Sequence, residues 1–138
     1  MKLTIQKLPE YNRAFIEYVK DYTKRIILKK LNVRKLITTT KYFYDNIKGK
    51  RKINAFDIVV QAAHNLTIIE YADSFIICVD RNMIVPYFNK TKIVDMCRLI
   101  NYGNTDIQPY PIFTEVFREV LGKVPALYKA YQMGIRAY

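Results

Sequence analysis

Residues Thr67–Asn89 read TIIEYADSFIICVDRNMIVPYFN, and this stretch decides the fold. It is dense in β-branched and aromatic residues, and no helical period runs through it. Phe75-Ile76-Ile77-Cys78-Val79 is a continuous apolar run of strand length, the pattern of a strand covered on both faces. Ala72-Asp73-Ser74 before it and Asp80-Arg81-Asn82 after it are turn residues. Thr67–Tyr71 and Met83–Phe88 then read as its partners in a short antiparallel meander. Pro86 cannot donate to a ladder, which makes the third strand an edge or ends it there.

Helices are expected around this small sheet. Pro9 suits a first helical turn, and Tyr11, Phe15, Tyr18/Val19, Tyr22 and Ile26 form a stripe reaching about Leu31. Its four aromatic rings are read as a core face rather than a stacking platform. Val33–Ile47 is ambiguous: Leu36, Ile37, Phe43, Tyr44 and Ile47 can share a helical face, whereas Thr38-Thr39-Thr40 and Tyr42-Phe43-Tyr44 favour extended backbone. Helix is taken here, with Lys48–Lys52 as a basic turn after it.

Asn54 can cap a helix whose buried stripe is Phe56, Val59/Val60, Ala63 and Leu66, with Asp57 in its first turn. Asn89 or Thr91 can cap another through Ile93, Val94, Met96, Cys97 and Ile100, closed by Gly103. A third starts at Pro111, buries Phe113, Val116/Phe117 and Val120/Leu121, and stops at Gly122; a last short one runs from Pro125 to Gly134. The predicted fold class is α+β, a mostly helical single domain packed around a small antiparallel β-meander. Its expected parts are an extended N-terminal arm over 1–8, a basic helical region over 9–52, and an α+β core with a helical C-terminal cap over 53–138. The arm alternates around Leu3 and Ile5, and reads either as a short edge strand or as a segment that adds to a neighbouring subunit's sheet.

At 138 residues, half of them hydrophobic, the chain can bury a core without disulfides or metal. No apolar run approaches the roughly 20 residues of a membrane span, and no apolar segment of signal-peptide type follows the N-terminus. Cys78 and Cys97 are expected as buried free thiols. A single histidine, His64, excludes a multi-histidine metal site; the cysteines lack metal-ligand spacing, and the four glycines are isolated rather than a phosphate loop. A thiol–His64 pair is the only nucleophilic arrangement on offer. The chain therefore reads as a non-enzyme with no catalytic residue, no metal and no cofactor.

The net charge of +11 is very uneven. Residues 1–52 carry 15 Lys/Arg against 4 Asp/Glu, and residues 53–138 carry 8 of each. Lys29, Lys30, Arg34, Lys35, Lys48, Lys50, Arg51 and Lys52 are the candidate contacts for nucleic-acid phosphates or an acidic protein partner. Tyr42, Phe43 and Tyr44 are placed to stack bases beside them, although no helix-turn-helix, zinc-finger or RNP-like motif is present. Twelve tyrosines suit protein interfaces. Leu3 and Ile5 of the arm, with Ile135 and Tyr138 of the tail, are the candidate assembly contacts.

Asn101-Tyr102-Gly103-Asn104 and then Pro111-Ile112-Phe113-Thr114-Glu115-Val116-Phe117, together with size and composition, resemble small virion proteins of tailed phages with AT-rich genomes. The resemblance implies a subunit of capsid, neck, head–tail connector or tail, repeated in a homo-oligomer or ring. It also implies a virion protein made in the host cytoplasm; no membrane contact and no small-molecule substrate are expected. No functional residue follows from it. The expected function is a structural assembly subunit; the alternative is an intracellular nucleic-acid-binding protein using the basic N-terminal face.

Overall fold

The computed structural model describes residues 1–32, 36, 42–44, 52–85, 91–105 and 107–137, with residues 42–44, 52 and 53 described by backbone alone. In chain order the elements are β1 (Lys2–Gln6), α1 (Arg13–Lys30), β2 (Tyr42–Tyr44), β3 (Lys52–Asn54), α2 (Ala55–His64), β4 (Leu66–Glu70), β5 (Ser74–Val79), α3 (Ile93–Tyr102) and α4 (Ile112–Gln132). The fold is α+β, with four helices and a three-stranded antiparallel sheet among the described residues.

The β4–β5 hairpin forms as its sequence demands, turning through Tyr71-Ala72-Asp73 with Tyr71 N–H donating to Ser74 C=O at 2.8 Å. The third strand is not the expected 83–88 segment. It is β1, which pairs Leu3 with Ile77 and Ile5 with Phe75, so the sheet order is β1-β5-β4. Alternation decides this choice: Leu3 and Ile5 are each 2% exposed, while Lys2, Thr4 and Gln6 point outward. Residues 83–85 fold instead against the start of α3. Ile84 bridges Lys92, Val85 N–H donates to Thr91 C=O, and Ile93 N–H donates to Met83 C=O. Residues 86–88 of the expected strand lie outside the described residues.

The helices cover the sheet face that presents Leu3, Ile5, Phe75 and Ile77. On the opposite face Lys2, Thr4 and Gln6 of β1 are exposed, while Ile76 and Cys78 of β5 are buried, so β5 is covered on both faces as its continuous apolar run implies. α1 begins later than Pro9 suggests. Leu8–Tyr11 is a turn, and Asn12 caps the helix by accepting from Phe15 N–H at 2.9 Å, which neither Pro9 nor Glu10 is placed to do. The aromatic stripe is a core face as expected. Phe15 meets Tyr128 edge-on at 5.0 Å between ring centres, and Tyr18 meets Tyr131 at 5.4 Å, locking α1 to α4.

Residues 42–44 are extended, against the helical expectation. They pair antiparallel with 52–54, following the β-propensity of Tyr42-Phe43-Tyr44. Lys52 accordingly opens β3 instead of closing a turn. Leu36 is helical and buried; the remaining residues of 33–41 and 45–51 lie outside the described residues. Asn54 caps α2 as expected, accepting from Phe56 N–H at 2.8 Å. The N-cap of α3 is Lys92, with no side-chain bond, so Thr91 does not take that role.

α4 is one helix where two were expected. It passes through both Gly122 and Pro125, because Phe113, Val116, Phe117, Val120, Val124 and Leu127 keep one buried face across the supposed break. Gly122 and Pro125 both lie on the exposed side. The carbonyl that Pro125 leaves without an N–H partner is that of Leu121, where water can serve. Gly134 does end the helix, at φ 75°, with a Schellman pair: Gly134 N–H to Tyr131 C=O and Ile135 N–H to Ala130 C=O, each 3.0 Å.

The start of α4 is capped from elsewhere. Its N-cap residue is Pro111, which has no capping side chain. Asn101, on α3 and 1% exposed, supplies Oδ1 to Phe113 N–H at 3.0 Å and Thr114 N–H at 3.2 Å, while its Nδ2 donates to Thr114 Oγ1 at 2.8 Å. Gly103, at φ 68°, makes the tight exit from α3; a Cβ there would lie 2.5 Å from Ile107 O.

Asn101→Ala strands the buried Phe113 N–H and the part-buried Thr114 N–H and is expected to lower stability by about 1–3 kcal/mol in urea unfolding. Asn101→Asp, which keeps the acceptor at a helix N-terminus, is expected to lose much less. Gly122→Ala meets open space and is expected to raise stability by roughly 0.5–1 kcal/mol. Gly134→Ala must hold a left-handed backbone and is expected to lose about 1–2 kcal/mol in the same measurement.

Candidate functional site

β1 is an edge strand, and its two ends differ in charge. At the Lys7 end every cation meets an acid. Lys7 Nζ lies 2.8 Å from Glu70, Arg13 bridges Glu70 and Glu17, and Lys20 lies 2.9 Å from Glu17. Lys7 holds the Glu70 carboxyl below the usual glutamate range, with Arg13 helping, and Lys20 then Arg13 do the same for Glu17.

At the Lys2 end the balance is reversed. Two adjoining depressions share Met1 and Lys2. One, of about 390 Å³, lies between β1 and α4, with Tyr102, Phe117, Arg118 and Leu121 on its walls. The other, of about 350 Å³, is walled by Cys78, Val94, Arg81 and Arg98. Lys2, Arg81, Arg98 and Arg118 are all exposed. Arg98 pairs with Asp95 at 3.3 Å; Lys2, Arg81 and Arg118 pair with no described acid, and no described acid lines either depression. Arg98 and Tyr102 are four residues apart on α3, and Thr114, Arg118 and Leu121 share one face of α4, so helical periodicity aims them at the same place. Tyr102 is 58% exposed and Leu121 50%.

The backbone of β1 adds hydrogen-bonding capacity. Lys7 N–H donates to Asp73 C=O, which sets the alternation of the antiparallel ladder. Leu3 and Ile5 therefore exchange bonds with β5, and the N–H and C=O groups of Lys2, Thr4 and Gln6 point to the outer edge. No described strand pairs there.

The expected site residues fare differently. Lys29 and Lys30 are exposed in the last turn of α1, where cations suit the helix end. Lys30 is already engaged, with Nζ 2.6 Å from Glu119, which Lys123 also meets at 3.1 Å. Arg34, Lys35, Lys48, Lys50 and Arg51 lie outside the described residues, and Lys52 is known only as a backbone position of β3. Leu3 and Ile5 are corrected as assembly contacts: both are committed to this chain's own core, because the arm pairs within the molecule. Ile135 is 52% exposed, and Tyr138 lies outside the described residues.

For thiol chemistry, Cys97 is completely buried and its thiol is pushed far up by burial, while His64 is exposed. Among the described residues no group of three His, Cys, Asp or Glu side chains is arranged to hold a metal ion, and no helix is long and apolar enough to cross a membrane. The basic cluster at Lys2 escaped the sequence reading because three of its four members come from the segment with zero net charge. The usable signal was helical spacing on the exposed side of α3 and α4. No family model, curated protein or solved structure matches this chain.

Lys30 and then Lys123 hold the Glu119 carboxyl below the usual range. Its contribution to stability is therefore present above the ordinary glutamate range and lost as pH falls through the lowered value. The melting-temperature gap between the wild type and Glu119→Gln is expected to be widest at neutral pH and to close on acidification, read by thermal melts across the carboxylate range.

Proposed function

We propose that this chain is a non-catalytic structural subunit that acts through protein–protein contacts. Its proposed setting is the one its C-terminal sequence resembles, a tailed-phage particle, at the neck, connector or tail. The observation that carries this reading is a strand edge with no partner among the described residues, bordered by apolar side chains left at the surface. Tyr102, 58% exposed, and Leu121, 50% exposed, stand beside β1 in the depression that also holds Lys2 and Arg118. Met133, 70% exposed, and Ile135 offer a second apolar surface around the end of α4. A homo-oligomer or ring, made in the host cytoplasm and incorporated into the particle, is the assembly such contacts serve.

The second reading is a nucleic-acid-binding protein that grips phosphates through the basic N-terminal region. The observation favouring it is a shallow groove along α1 lined by Lys24, Arg25 and Leu28 with Asp21, one turn from the exposed Lys29. Affinity of this kind falls steeply with salt.

The deciding experiment is the native mass of the purified species, with its absorbance ratio before and after a high-salt wash. A discrete oligomer that survives salt is the expected result, and a monomer that sheds nucleic acid in salt supports the second reading instead. Tyr102→Ser with Leu121→Glu is expected to dissociate the oligomer without lowering the melting temperature. Lys24→Gln with Arg25→Gln is expected to leave it whole.

A further inference from the structure

We propose that the outer edge of β1 takes up an extended acidic segment of a partner protein as an added strand; this rests on the reading of the chain as an assembly subunit. Three observations define the occupant. The outward groups of Lys2, Thr4 and Gln6 repeat every second residue, the spacing of a paired strand. Each of these residues offers both a donor and an acceptor. A peptide backbone satisfies both kinds, whereas a phosphate backbone has only acceptors and leaves the carbonyls unmet.

Charge selects among peptides. Lys2 and Arg118 stand with Leu3 and Thr4 in the first depression, and Lys2 meets Arg81 and Arg98 in the second; Asp95 is the one described acid paired among these four. The same edge of a second copy, KLTIQ, would bring a lysine and no carboxylate into this field. The pleat then fixes the pattern of the added strand. Residues opposite Lys2 and Thr4 share their outward face and are acidic. Residues opposite Leu3 and Ile5 turn toward α4 and are apolar, packing on Phe117 and Leu121. The recognised segment is thus one of alternating acidic and apolar residues.

The test uses the full chain and three labelled probes: a capped peptide alternating glutamate and valine, its lysine–valine counterpart, and a single-stranded DNA oligonucleotide of matching charge. Anisotropy titration is expected to detect the glutamate peptide alone, with slowed hydrogen exchange at the Thr4 and Gln6 amides. Lys2→Glu with Arg118→Glu is expected to weaken binding at least about tenfold. Thr4→Pro removes only an outward N–H and is expected to abolish binding at unchanged charge. Should Thr4→Pro melt early, exchange at the edge amides of the wild-type chain decides in its place.

The proposal is overturned by absence of glutamate-peptide binding, by binding that leaves edge-amide exchange unchanged, or by equal binding of DNA. Self-association through β1 that excludes the peptide also overturns it. If the peptide fails while the native species is still a salt-stable oligomer, this inference falls alone. If the native species is a partnerless monomer, the assembly reading falls with it.

Discussion

The antiparallel pairing of β1 with β5 is the constraint on which the rest of the structure depends. Two strands from the β4–β5 hairpin are marginal by themselves, and the N-terminal segment makes the third. It brings Leu3 and Ile5 onto the helix-covered face of the sheet, against Ile77 and Phe75. Because β1 closes that side of β5, residues 83–85 are released to dock against the start of α3. The same pairing moves the open edge of the sheet to β1 and sets Lys2 between the exposed faces of α3 and α4.

A second organising feature is the connection from α3 to α4, which ties three helices together. Asn101 caps α4, Gly103 turns the chain, and Tyr110 lies against α1: its hydroxyl donates to Lys30 C=O at 3.3 Å and accepts from Asn32 N–H at 3.2 Å. Their chemistry here is that of a fold-specific junction: a buried amide placed to satisfy two helix N–H groups, and a glycine where a Cβ would strike backbone. The exposed Tyr102, between Asn101 and Gly103, is the side chain of this stretch turned toward the candidate interface.

Electrostatics follow from this geometry. Lys7, Arg13, Lys20, Lys30 and Lys123 are answered by Glu17, Glu70 and Glu119, each of which bridges two positive groups. Exposed pairs of this kind contribute little stability apiece, but they offset the charge of those five cations. The cations near Lys2 are not answered in the same way. A count of charge along the chain cannot register this, since the relevant quantity is the number of acids within a few ångströms of each base.

What the sequence by itself determined was local. The β4–β5 hairpin, the Asn54 cap, the aromatic face of α1 and the glycine exits of α3 and α4 were all legible, because period, capping chemistry and turn residues act within a few positions. The third strand, the continuity of α4 through Gly122 and Pro125, the role of Asn101 and the basic cluster at Lys2 were decided only by the tertiary structure. Each depends on a partner far away in the chain: Ile77 for Leu3, the common core for α4, Phe113 and Thr114 for Asn101, and Arg98 and Arg118 for Lys2. Local propensity differences of a few tenths to about one kcal/mol per residue are outweighed when burial of a whole apolar face is at stake, and that burial exists only once the distant surface is in place.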